Sequence, residues 1–78
     1  MVSIVVPISA ANAEGVFNLS RSAQAGGADL VEVRLDTCVK LGADPQEIVA
    51  ALPRLGLPAI LTIRELEALV QGLRADKA

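Results

Sequence analysis

The sequence predicts an α/β fold, a parallel βαβαβα unit, on three observations. Short segments rich in β-branched residues recur along the chain (VSIVVPI, DLVEVRL, AILTIR). Segments with helical apolar spacing separate them. Each connection is long enough for a crossover helix and far too long for a hairpin, so consecutive strands run parallel with right-handed crossovers. The expected sheet order is 1-2-3 with the helices on one face.

The elements follow in order. Val2 to Ile8 is apolar at nearly every position, the pattern of a strand covered on both faces, and forms the first strand (2–8). The segment 12–25 is the first helix: Asn12 is a good N-cap, Val16, Leu19 and Ala23 recur at helical spacing with Phe17 beside them, and Gly26-Gly27 supplies a left-handed stop. The second strand spans 29–35. Asp44-Pro45-Gln46-Glu47 then offers an N-cap, a proline at the first helical position and a glutamate placed for a capping box, opening a helix over 45–52 whose buried stripe is Ile48, Val49 and Leu52. Pro53 and the Leu55-Gly56-Leu57-Pro58 turn end it, and 59–64 is the third strand. A last helix is expected over 65–75, with Leu66, Leu69, Val70 and Leu73 on one face. Two glutamates near its start and Arg74 and Lys77 near its end suit the helix dipole.

Composition bounds what this unit can do. With 78 residues, 53% hydrophobic and 21% charged, one soluble domain is expected. Such a chain buries only ~60% of the surface its unfolded form exposes, so the core is marginal and self-association is expected. Cys38 is the lone cysteine and no secretory leader is read at the N-terminus, which fits a reducing cytoplasm. A net charge of −2 and a single aromatic residue, Phe17, argue against a nucleic-acid partner. No apolar run approaches the ~20 residues that span a bilayer, so no membrane partner is expected. The AANAEG segment after the first strand lacks both phosphate-binding glycine patterns, and neither a cofactor nor a metal is expected.

The most informative stretch is GGADLVEVRLD. Val31, Val33 and Leu35 alternate with Glu32, Arg34 and Asp36, so one strand face carries three charges in a row. The third strand is similarly asymmetric, with Ala59, Leu61 and Ile63 opposite Ile60, Thr62 and Arg64. Side by side, the two strands gather Glu32, Arg34, Thr62 and Arg64 at the C-terminal edge of one sheet face, where α/β folds bind ligands. Two arginines and a carboxylate suit a small polyhydroxy carboxylate, since arginine grips a carboxylate bidentately and glutamate orients hydroxyls. The alternative is a bare face solvated by a cross-strand Glu–Arg pair.

At these residues the chain resembles the type I 3-dehydroquinate dehydratases (3-dehydroquinases) of the shikimate pathway. The resemblance rests on VVPI, GADLVEVRLD and PAILTIR, in the family's order and approximate separation, and covers Val2 to Arg64. It implies the N-terminal part of a (β/α)8 barrel, with Glu32, Arg34 and Arg64 holding the hydroxyls and carboxylate of the substrate. The family dehydrates 3-dehydroquinate to 3-dehydroshikimate through a lysine Schiff base, with a histidine as general acid and base. This chain has no histidine, and its lysines, Lys40 and Lys77, fall in a loop and in the tail. Neither position suits a desolvated Schiff-base lysine, so no catalytic residue is assigned and the chain alone is expected to be inactive. Ala68 stands where the family pattern carries an acidic residue after the third strand. Two classes of function are therefore open: an enzyme-related domain retaining part of a substrate site, or a self-assembling α/β module that buries its edges as a homo-oligomer.

Overall fold

The computed structural model describes residues 3–67, 70 and 71. Three parallel strands, β1 (Val5–Ile8), β2 (Leu30–Arg34) and β3 (Ala59–Thr62), form one sheet in the order β1-β2-β3. The connections are helical, as their length demanded. Helix α1 (Ala13–Ala25) joins β1 to β2. Two helices, α2 (Leu35–Lys40) and α3 (Pro45–Ala51), then a 3-10 turn at Leu52–Arg54, lead from β2 to β3.

Alternation along the strands decides where the core lies. Val31 and Val33 are fully buried and gather Val16 of α1, Cys38 of α2 and Ile48 of α3, none of which exposes any surface. Burying each large aliphatic side chain contributes roughly 1.5–3 kcal/mol. Register fixes the other face: Glu32 stands beside Pro7 and Ile60, and Arg34 beside Thr62. That face is uncovered, with Val5 46% and Ile60 48% exposed.

Several boundaries differ from the sequence expectation, each for a local reason. β1 starts at Val5 because Ile4 is held by Asp29: the Ile4 N–H donates to Asp29 Oδ2 at 2.7 Å, and the Asp29 N–H returns to the Ile4 carbonyl at 2.9 Å. Val2 lies outside the described residues. β2 stops at Arg34 rather than continuing through Leu35. The Thr37 hydroxyl donates to the Arg34 carbonyl at 3.0 Å, and Leu35, Cys38 and Val39 bury a helical i, i+3, i+4 face. Lys40 therefore ends a helix instead of lying in a loop, and Gly42, at φ +104°, stops it. β3 ends at Thr62, which pairs with the last residue of β2.

The helices bear corrections too. Asn12 caps α1 by accepting from the Gly15 N–H at 2.8 Å. At its other end the left-handed residue is Gly27, at φ +94°. On its inner face Ser20 is fully buried and donates to the Leu55 carbonyl at 3.2 Å, while Leu19 is 41% exposed. Spacing favoured leucine, but Ser20 lies one turn after Val16, in line with Ala23. In α3, Ala51 joins Ile48 in the core, Leu52 packs partly against it, and Val49 turns outward. Asp44 caps α3 through the Gln46 N–H at 2.9 Å. Glu47 forms no capping box there; its Oε1 accepts from the Ala13 N–H at 3.1 Å and so caps α1. Beyond β3, Leu66, Glu67, Val70 and Gln71 are helical, and the rest of the helix expected over 65–75 lies outside the described residues. Among the described residues no helix is long and apolar enough to cross a membrane.

Candidate functional site

The charged row sits where β2 and β3 end on the uncovered face. Arg64, two residues beyond β3, extends its Nη2 to Glu32 Oε2 at 3.3 Å. Arg34, two positions along β2 and on the same face, directs its Nη2 to Asp36 Oδ2 at 3.3 Å. Glu32, Arg34 and Arg64 therefore share one edge, but as two ion pairs rather than one three-residue cluster. The pairs differ in exposure. Arg64 is 65% exposed against 18% for Glu32, while Arg34 is 25% exposed and Asp36 only 1%.

Asp36 is the residue that strand periodicity misplaced. It belongs to the first turn of α2, not to the strand face, and is almost fully buried. Its Oδ2 accepts a second hydrogen bond, from the Glu65 N–H at 3.0 Å. Burial pushes this carboxyl up. The Glu65 and Thr37 backbone N–H groups, the Arg34 charge and the Arg64 backbone outweigh burial and hold it below the ordinary carboxylate value.

Around this edge lie groups with unused hydrogen-bonding capacity. Arg34 Nε, Asp36 Oδ1 and Thr62 Oγ1 are buried and have no partner among the described residues. Arg34 and Thr62 are register neighbours and Asp36 is ion-paired to Arg34, so the three residues stand near one another at the strand ends. Ser9, just past β1, lies 2.6 Å from Thr37. Since the Thr37 proton goes to the Arg34 carbonyl, Ser9 is the donor between them. Neither hydroxyl was singled out from sequence. Their signal was position, immediately after β1 and in the first turn after β2.

Lys40 is 58% exposed and pairs with Glu65 at 3.4 Å, outside the strand ends. A polar depression of about 610 Å³ runs past it, bordered by Arg64, Glu65 and Gln71, and so lies beside the Glu32–Arg34 row rather than over it. Lys77 and Ala68 lie outside the described residues. Cys38 is fully buried; burial pushes its thiol up, as does Asp36, against a hydrogen bond with the Ala10 backbone, which removes it as a nucleophile. Among the described residues no group of three acidic, cysteine or histidine side chains could hold a metal.

The family model of type I 3-dehydroquinase matches residues 4–76 of the chain. No curated protein and no solved structure matches it.

Proposed function

Because the chain belongs to the type I 3-dehydroquinase family, we propose that its uncovered sheet face is the substrate-facing wall of part of a (β/α)8 barrel. In this reading Glu32, Arg34 and Arg64 bind a polyhydroxylated carboxylic acid of the 3-dehydroquinate type. The observation that carries it is the 3.3 Å approach of Arg64 to Glu32 across β2 and β3, with Arg34 on the same face. Arg64 is the exposed cation and can turn its guanidinium from Glu32 to a ligand carboxylate. Glu32 then accepts from ligand hydroxyls, and Arg34, already anchored on Asp36, contributes fixed positive charge.

The chain by itself binds without turning over. The family's dehydration uses a Schiff-base lysine and a histidine acid–base; this sequence has no histidine, and Lys40 is a solvated, paired ammonium. An exposed, paired lysine does not occupy the desolvated or electrostatically tuned position that a Schiff-base lysine needs. A cytoplasmic setting agrees with the lone, buried Cys38.

Titration with 3-dehydroquinate to ~10 mM, followed by backbone amide shifts, tests the reading. Shifts concentrated at residues 32–36 and 62–65 are expected. A flat response there removes the binding assignment and leaves a solvated or intersubunit face.

A second reading is favoured by a different observation. Val5 and Ile60 stand exposed on the uncovered face, and β1 and β3 each have an unpaired edge among the described residues. Parallel sheets are stable when covered on both faces. Assembly as a homo-oligomer would supply that cover, with or without a retained ligand site.

A further inference from the structure

We propose that Asp36 is a positioning residue for the charged row: through one carboxylate oxygen it sets where both Arg34 and Arg64 stand. The inference rests on the reading of that row as an anion site and deepens it, adding a residue that touches no ligand itself.

Strand pairing cannot place Arg64. Register between β2 and β3 ends at Arg34 and Thr62, so the backbone two residues later has no sheet partner. The Glu65 N–H donating to Asp36 Oδ2 at 3.0 Å holds it there. The same oxygen receives Arg34 Nη2 at 3.3 Å. One buried atom thus joins the guanidinium of one arginine to the backbone beside the other, across α2, β2 and the turn after β3. The Lys40–Glu65 pair is exposed at both ends, at 58% and 60%, and is too well solvated to replace it.

The chemistry of the position suits this role. A carboxylate oxygen has lone pairs for two donors, and charge-assisted hydrogen bonds to a buried oxygen are stronger and more directional than neutral ones. Arg34 makes its described contact through Nη2, while its buried Nε has no partner among the described residues. Without Asp36, Arg34 would lose its anchor, and Arg64 would be tethered only through its exposed pair with Glu32.

Two variants separate the two bonds. Asp36→Asn keeps the side-chain volume and an acceptor for the Glu65 N–H but loses the charge that holds Arg34. Asp36→Ala removes both. The readouts on the full chain are hydrogen exchange at the Glu65 amide, the Arg34 Nε–H signal, and amide shifts on adding 3-dehydroquinate. Exchange at Glu65 is expected to speed about tenfold or more in Asp36→Ala and to change far less in Asp36→Asn, as for loss of a hydrogen bond to a charged group. The Arg34 Nε–H signal is expected to broaden or vanish in both, and ligand response to fall several-fold in both. If Asp36→Ala does not fold, Asp36→Asn alone carries the comparison.

An unchanged Arg34 signal in Asp36→Asn, with Glu65 exchange and ligand response at wild-type levels, overturns the inference. Altered Arg34 and Glu65 signals in variants of a chain that never responds to 3-dehydroquinate uphold the positioning role while removing the binding reading.

Discussion

Replacing Arg64 with alanine should separate ligand binding from stability, and the structure gives the size of both effects. The Arg64–Glu32 pair is a single 3.3 Å contact with its cation 65% exposed. Exposed pairs of this kind contribute about 0.2–1 kcal/mol, so the melting temperature of a domain this size should fall by roughly 1–8 °C. Binding stands differently. If 3-dehydroquinate binds at ~1 mM, about 4 kcal/mol holds it, and an arginine–carboxylate contact accounts for roughly 1.5–3 kcal/mol of that. Losing it raises Kd at least about tenfold, and occupancy at ~10 mM ligand drops from about nine tenths to about one half or less. Arg64→Lys keeps the charge without the planar fork and should fall between the two. The assay is the amide-shift titration on wild type and both variants, with thermal melts alongside. Wild-type occupancy in Arg64→Ala would refute the assignment of the carboxylate to this arginine, and a large loss of melting temperature would refute the view of the pair as solvated.

Other outcomes follow from the same geometry. Light scattering coupled to size exclusion should find a homo-oligomer at micromolar concentration, because Val5 and Ile60 are otherwise exposed; a monodisperse monomer overturns the second reading. Purified chain should not dehydrate 3-dehydroquinate above background, and borohydride trapping of an adduct on Lys40 or Lys77 would contradict that. The depressed Asp36 pKa contributes stability that is fully present above its ordinary value of 3.8 and is lost as pH falls through the lower folded value. Urea midpoints should therefore decline in acid below about pH 4, and less steeply in Asp36→Asn; parallel declines would remove Asp36 as the cause. Ile48→Ala, at a fully buried position touching the sheet core, should cost about 2–5 kcal/mol in urea unfolding, a large share of the stability of a domain this size.

Periodicity made most of the fold legible, and it failed where a side chain took over from the backbone pattern. Strand order, parallel pairing and the burial of Val31 and Val33 all follow from alternation and connection length. Helix α2 does not. The VEVRLD alternation runs two residues past the true end of β2, which is set by the Thr37 hydroxyl on the Arg34 carbonyl and by the buried face of Leu35, Cys38 and Val39. Those three residues, followed by Gly42, carried a helical signal of their own. It was outcompeted because a short helix and an alternating strand can share the same first residues. Glu47 is a similar case: its spacing from Asp44 satisfies the capping-box rule, yet it reaches the open N-terminus of α1, a partner distant in sequence that local pattern cannot supply.

The charged row divides along the same line. Glu32 and Arg34 could be placed on one face because strand geometry sets their direction, and Arg64, two residues past the last strand pair, reaches Glu32 at 3.3 Å. What sequence could not supply is why the row has a definite shape beyond the last strand pair. That depends on Asp36 leaving the strand, entering the first turn of α2 and turning a buried oxygen toward the Glu65 N–H. A carboxylate desolvated to this degree is tolerated only with donors around it, and the donors it found are the guanidinium and the turn that carry the two arginines. The early end of β2 and the geometry of the site therefore have one physical cause: the chain bends into α2 at Leu35, and that bend carries Asp36 behind the strand ends, where it links Arg34 to the Arg64 turn.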